Sequence, residues 1–205
     1  MNKIGIMGGT FNPIHNGHLF LAENAREYTG LDKVLFMPSK NPPHKELMSR
    51  VSEQERTDMI RLAIGDNPYF EFSDFELQRE GYTYTADTLT LLHQENPGLQ
   101  YFFIVGTDSL FQMQNWMRPE TIFQYCTVLA AGREHVEENK ILKHIDYLKN
   151  IFHADIQYVK MPIIDISSEH IRSRLAAGES VKYYLPDSVI QYISKNKLYA
   201  FLQED

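Results

Sequence analysis

Five short apolar runs, Lys3–Met7, Lys33–Met37, Tyr101–Val105, Thr127–Ala131 and Ile156–Met161, alternate with amphipathic stretches along this chain. No other feature of the sequence restricts the fold as much. The runs carry too little polar alternation for a sheet with one wet face, so they read as strands buried on both sides. Strands separated by helices pair in parallel, because the crossover helix brings each strand back in the same direction. Gly17–Tyr28 sets Leu19, Ala22, Ala25 and Arg26 at helical spacing and stops at Gly30, and Ser52-x-x-Glu55 is a capping box opening a helix to about Ile64. Thr85–Gln94, Ser168–Ala177 and Pro186–Ser194 supply further helices, the second ended by Gly178 and the third opened by Pro186-Asp187. The expectation is one α/β domain over residues 1–205: a Rossmann-like, doubly wound parallel sheet flanked by helices, with a small C-terminal helical segment.

A hydrophobic content of 43% over 205 residues is enough for a sizeable core. The net charge of −7 argues against general affinity for nucleic acid or an anionic membrane, both of which need a lysine- and arginine-rich face. One cysteine, Cys126, excludes an internal disulfide; with no secretory leader in view, the expected location is a reducing cytoplasm. Cys126 itself reads as an inert residue inside a strand. No apolar run reaches the roughly 18 residues of a membrane span.

In a doubly wound sheet, ligands bind beyond the carboxyl ends of the strands where the winding reverses. "GGTFNPIHNGH", residues 8 to 18, follows the first strand and should lie there. Gly8 and Gly9 let the backbone approach a ligand, and the helix opening near Gly17 offers unpaired N–H groups to an anion. The chain has neither the G-x-G-x-x-G dinucleotide fingerprint nor a G-x-x-x-x-G-K-[ST] phosphate loop. His15 and His18, three apart, face the same side, where both could meet charge developing on a phosphate.

His15-Asn16-Gly17-His18 resembles the H-x-G-H signature of a nucleotidyltransferase superfamily, and "ISSEHIRSRL" resembles its I-S-S-T-x-[IV]-R segment through Ile166, Ser167, Ser168, Ile171 and Arg172. Glu169 replaces the usual threonine there, and Asn12 stands where the superfamily often has aspartate, so Asn12 is assigned no metal or acid role. Four further stretches resemble the bacterial nicotinate mononucleotide adenylyltransferase family in order and spacing: "PPHK" at Pro42–Lys45, "YTYTADTL" at Tyr82–Leu89, "FIVGTDSLFQMQNW" at Phe103–Trp116 and "YLPDSVIQYISKNKLY" at Tyr184–Tyr199. The resemblance implies adenylyl transfer from ATP to nicotinate mononucleotide, giving nicotinate adenine dinucleotide and pyrophosphate. It implies Mg²⁺ accompanying the ATP, with no metal ligand from protein side chains, and it leaves a homo-oligomer open.

The resemblance also implies roles. His18 would meet the α-phosphate during transfer, and His15 would hold the phosphates nearby. Arg172, four residues after Ser168, can reach an anion at the N-terminus of its helix, which by resemblance is the triphosphate. Lys45, in a stiff loop after two prolines, is expected to reach phosphates too. Gly8, Gly9, Thr10, Phe11, Gly106, Asp108, Ile166, Ser167 and Ser168 would line ATP, with Asp108 accepting from the ribose diol. Ser168 could equally cap its helix, and Arg174 is expected to be solvated. Trp116, the only tryptophan, would stack on the pyridine ring, and backbone N–H groups near Thr85 and at Met117 would receive the nicotinate carboxylate. The remaining histidines, His93, His135, His144, His153 and His170, read as structural or surface groups.

Overall fold

A computed structural model describes residues 2–40, 51–133, 138–162 and 164–199. Six strands form one parallel sheet: β1 (Lys3–Gly9), β2 (Lys33–Pro38), β3 (Phe70–Phe72), β4 (Gln100–Gly106), β5 (Thr127–Arg133) and β6 (Ile156–Met161). They are ordered β3-β2-β1-β4-β5-β6. The helices are α1 (Asn16–Thr29), α2 (Glu53–Ile64), α3 (Thr85–Glu95), α4 (Thr107–Gln112), α5 (Pro119–Tyr125), α6 (Glu138–Phe152), α7 (Ser168–Ala176) and α8 (Asp187–Asn196). The expected doubly wound α/β fold is therefore present.

Both faces of the sheet are apolar, as the run-like strands require. Along β4, Tyr101, Phe103 and Val105 enter one core while Phe102 and Ile104 enter the other. Along β1, Ile6 and Met7 divide the same way. Period-two alternation is thus between two cores rather than between core and water. One core is covered by α1, α2, α7 and α8, through residues such as Ala22, Ile60, Ile171 and Val189; the other by α3, α4, α5 and α6, through Leu89, Leu110, Ile122 and Ile145. The C-terminal segment packs on α2, where the Tyr192 hydroxyl donates to Asp58 at 2.8 Å and the Ser188 hydroxyl to the Leu62 carbonyl at 3.1 Å.

Local signals place the helix ends. Gly30 takes a left-handed conformation, φ 66, after α1, as glycine does without a Cβ penalty. Ser52 accepts from the Glu55 N–H at 3.2 Å and its own N–H donates back to the Glu55 carboxylate at 2.7 Å. One expectation is corrected. Cys126 is the residue that ends α5, just before β5 begins at Thr127, rather than part of a strand. Burial nonetheless pushes its thiol up to about 12, which leaves it as inert as expected.

β1 pairs in parallel with β2 on one side and β4 on the other. The winding reverses between β1 and β4, so Gly9 and Gly106 end on either side of the switch point. Among the described residues no helix is long and apolar enough to cross a membrane.

Candidate active site

The site begins where β1 runs out. After Gly9 the chain turns through Phe11, whose φ of 47 is left-handed and whose ring is buried, and through a cis Asn12–Pro13 bond into α1. A left-handed aromatic residue costs energy and persists only where its surroundings over-determine it. The surroundings here are side chains from distant elements. Arg56 of α2, 2% exposed, donates from Nη1 to the Thr10 carbonyl at 2.7 Å and to the Ser39 carbonyl, just beyond β2, at 3.1 Å. Arg172 of α7 donates from Nη1 to the Asn12 carbonyl at 2.8 Å, and the Ser168 hydroxyl to the Pro13 carbonyl at 2.9 Å. The Tyr199 hydroxyl donates to Asn12 Oδ1 at 2.7 Å.

His15 precedes the first turn of α1 with extended backbone, φ −145, and His18 lies within that turn. The two rings stack, with centroids 3.6 Å apart and planes 21° apart, and Phe11 meets the His18 ring edge-on at 5.0 Å. His18 Nδ1 accepts from the His15 backbone N–H at 3.2 Å. A ring nitrogen that accepts carries no proton, so the neutral His18 ring holds its N–H at Nε2. His15 is 5% exposed, and burial lowers its pKa to about 4, so it is neutral near pH 7. Its Nδ1 is buried with no hydrogen-bond partner among the described residues.

Gly17 explains the glycine of the motif. A Cβ there would lie 3.0 Å from His15 Nδ1 and 3.1 Å from its Cε1, so any side chain at this position would crowd the imidazole where it folds back over the first turn. Gly8 and Gly9 differ. A Cβ on either would make ordinary contacts of 3.5 Å with the Phe103 or Phe11 ring, so the protein's own packing does not call for glycine at those positions.

On the other side of the switch point, Gly106 ends β4 and begins α4. Asp108 is exposed in the first turn of α4, where a carboxylate suits the helix dipole. Ser167, not Ser168, caps α7, accepting from the His170 N–H at 3.1 Å. Ile166, half-buried, packs against the core just before that cap. Arg174 is not simply solvated: it pairs with Glu179 at 2.9 Å, donates to the Ser180 carbonyl at 2.9 Å and lies over the Tyr184 ring.

Further along, Trp116 is half-buried and meets Phe103 of β4 edge-on at 6.1 Å. Met117 is 49% exposed, and Arg118, left-handed at φ 52, opens α5. Thr85 opens α3, so its N–H has no acceptor within the helix. An ion pair between Arg118 and Asp87 ties the Trp116–Met117 turn to the first turn of α3, and Arg79 lies 3.9 Å from the same carboxylate. The structure therefore gathers His15, His18, Arg172, Ser167 and Ser168 around one loop, and links the segments of Thr85 and Trp116 through the Arg118–Asp87 pair. Lys45, with the rest of Pro42–Lys45, lies outside the described residues.

Sequence reading missed Arg56, Tyr199 and the Asp87–Arg118 pair. Arg56 had a signal, since it precedes Met59 and Ile60 by three and four residues and so shares their inward face. Among the described residues, no group of three or more histidine, cysteine, aspartate or glutamate side chains is placed to hold a metal ion.

Residues 6–174 match the cytidylyltransferase-like family model. "Probable nicotinate-nucleotide adenylyltransferase" from Lachnoclostridium phytofermentans is 45% identical over 199 residues, covering 97% of this chain and all of that one. A relative of the same name from Thermoanaerobacter sp. is 41% identical over 96% of this chain and 94% of its own length. Among solved structures, Plasmodium falciparum nicotinic acid mononucleotide adenylyltransferase complexed with NaAD superposes with a TM-score of 0.80 at 21% identity, over 97% of this chain and 98% of that one; that likeness bears on the fold. With the H-x-G-H pair at the switch point and near-full-length relatives on both counts, the chain belongs to the cytidylyltransferase-like family and, within it, to the nicotinate-nucleotide adenylyltransferases.

Proposed function

We propose that this chain transfers the adenylyl group of ATP to nicotinate mononucleotide. A phosphate oxygen of the mononucleotide attacks the α-phosphorus of ATP, the bond to the bridging oxygen of the β-phosphate breaks, and nicotinate adenine dinucleotide and pyrophosphate leave. Such transfers need positioning and charge stabilisation more than covalent participation by the protein. The observation that carries this reading is the stacked His15–His18 pair, whose hydrogen bond through Nδ1 puts the His18 N–H on Nε2, the atom we assign to the α-phosphate.

In this reading His15, neutral and buried, braces the His18 ring beside the phosphate region. Arg172 uses one N–H on the Asn12 carbonyl; a guanidinium has five, and the others serve the triphosphate. Gly8, Gly9, Thr10 and Phe11 give the nucleotide a backbone surface, which accounts for glycines that internal packing does not require. Gly106 and Asp108 take the ribose, and Ile166, Ser167 and Ser168 close over the phosphates; Lys45 adds a cation. Trp116 stacks on the pyridine ring, while the N–H groups of Thr85 and Met117 receive its carboxylate.

The donors around the loop are imidazoles, guanidinium, hydroxyls and N–H groups, which suit phosphate oxygens rather than a cation. Mg²⁺ therefore enters bound to ATP, where it neutralises phosphate charge. The reaction belongs to the cytoplasm, where ATP is available. Pyrophosphate release measured with ATP and either nicotinate or nicotinamide mononucleotide tests this: release with nicotinate mononucleotide, and less with the amide, is the expected result. Release with neither would overturn it.

A further inference from the structure

The loop from Thr10 to Pro13 is held in part by residues that the reaction does not use. Tyr199 is the clearest case. It follows α8, and the chain reaches it through Lys197, left-handed at φ 53, and is left-handed again at Tyr199 itself, φ 63. Each such non-glycine residue costs energy and needs a reason. What these turns achieve is to bring the phenol back from the C-terminal helix to Asn12 Oδ1, 2.7 Å away and 187 residues earlier in sequence. Arg56 spends Nη1 on the Thr10 carbonyl at 2.7 Å and the Ser39 carbonyl at 3.1 Å, while its buried Nε has no partner among the described residues. Arg172, a proposed triphosphate group, holds the Asn12 backbone carbonyl.

We infer that Tyr199 and Arg56 are positioning residues for ATP: they fix the strained Thr10–Pro13 loop in the shape that the nucleotide meets. The inference rests on the proposed placement of ATP against this loop. Three points support it over simple packing. The contacts fall on successive polar groups of one loop, at Thr10, Asn12 and Pro13, rather than on apolar surface. The loop's Phe11 is left-handed and so would relax if released. Asn12 is gripped twice, at its carbonyl by Arg172 and at its side chain by Tyr199, which couples the C-terminal segment to the residue that would touch phosphate.

Tyr199→Phe removes one hydroxyl and leaves the ring, so the fold should survive. ATP affinity alone, by calorimetry without mononucleotide, is expected to weaken about fivefold, the worth of roughly one hydrogen bond, with KM for nicotinate mononucleotide unchanged and the melting temperature lowered by a few degrees at most. Arg56→Lys, which cannot serve two carbonyls from a fixed planar fork, is expected to weaken ATP at least as much. Unchanged ATP affinity in Tyr199→Phe overturns the inference, and so does an equal loss for both substrates accompanied by a lower melting temperature, which would make Tyr199 a packing residue. If wild type binds ATP but makes no dinucleotide, the proposed acceptor is wrong while the ATP comparison still decides this inference. A wild-type protein that does not bind ATP refutes both.

Discussion

His15 should make the protein acid-sensitive in a defined window. The ring is 5% exposed and its pKa is lowered to about 4 from an ordinary 6.5 by burial. Between those two values the unfolded chain binds a proton that the native state refuses, so stability is present above about 6.5 and is lost as pH falls toward 4. A shift of this size is worth about 3 kcal/mol in full, and about 2 kcal/mol of it should be gone by pH 5. Burial of this degree means little discount for solvent screening. The perturbation is His15→Gln, which keeps a polar side chain and removes the titration. Denaturant unfolding of wild type and variant at pH 7.5, 6.5, 5.5 and 5.0 reads the difference in slope, whatever offset the substitution itself introduces. Wild type should lose about 2 kcal/mol more than the variant over that range. Parallel curves would show that His15 titrates normally and that its burial does not keep it neutral.

Other outcomes follow from the same geometry. Gly17→Ala adds a Cβ 3.0 Å from His15 Nδ1; helix propensity gained and crowding introduced oppose each other, so the melting temperature should move by a few degrees at most while kcat falls at least about tenfold, and a fully active variant would remove the stacked geometry from catalysis. Arg172→Lys should weaken ATP nearly as much as Arg172→Ala, because a point charge cannot hold the Asn12 carbonyl and a phosphate together; unaltered ATP affinity in both counts against its role. Nicotinate mononucleotide should change the fluorescence of Trp116 saturably, and Trp116→Ala should weaken that substrate by about 1–3 kcal/mol with ATP spared; equal damage to both would mark Trp116 as support for Phe103.

The strands and the longer capped helices were readable because their signals are local. Apolar runs, a capping box at Ser52 and glycine stops are written within a few residues of where they act. Elements shorter than two turns or a few residues were not: β3 spans Phe70–Phe72 and α4 spans Thr107–Gln112, too short for any period to show. α6 is different, since Ile141, Ile145 and Leu148 carry a helical spacing that the sequence does show and are buried as it predicts. In the site, the histidines and glycines stand in one continuous stretch and so form a motif. The residues that hold them do not. Arg56 and Tyr199 reach Thr10 and Asn12 from 46 and 187 residues away, and a hydrogen bond to an oxygen so distant in sequence leaves no spacing to read. The switch of cap from Ser168 to Ser167 has a similar cause, because the first hydroxyl of a Ser-Ser pair caps while the second is drawn off by the Pro13 carbonyl.

The role given to His18 rests on its Nε2–H donor being needed in the transition state more than in binding. The direct measurement is steady-state turnover by His18→Ala with saturating ATP and nicotinate mononucleotide, read beside KM for ATP and a melting curve. A folded variant with kcat lowered at least about a hundredfold and KM for ATP little changed is the predicted result. A folded variant with near-wild-type kcat would contradict it.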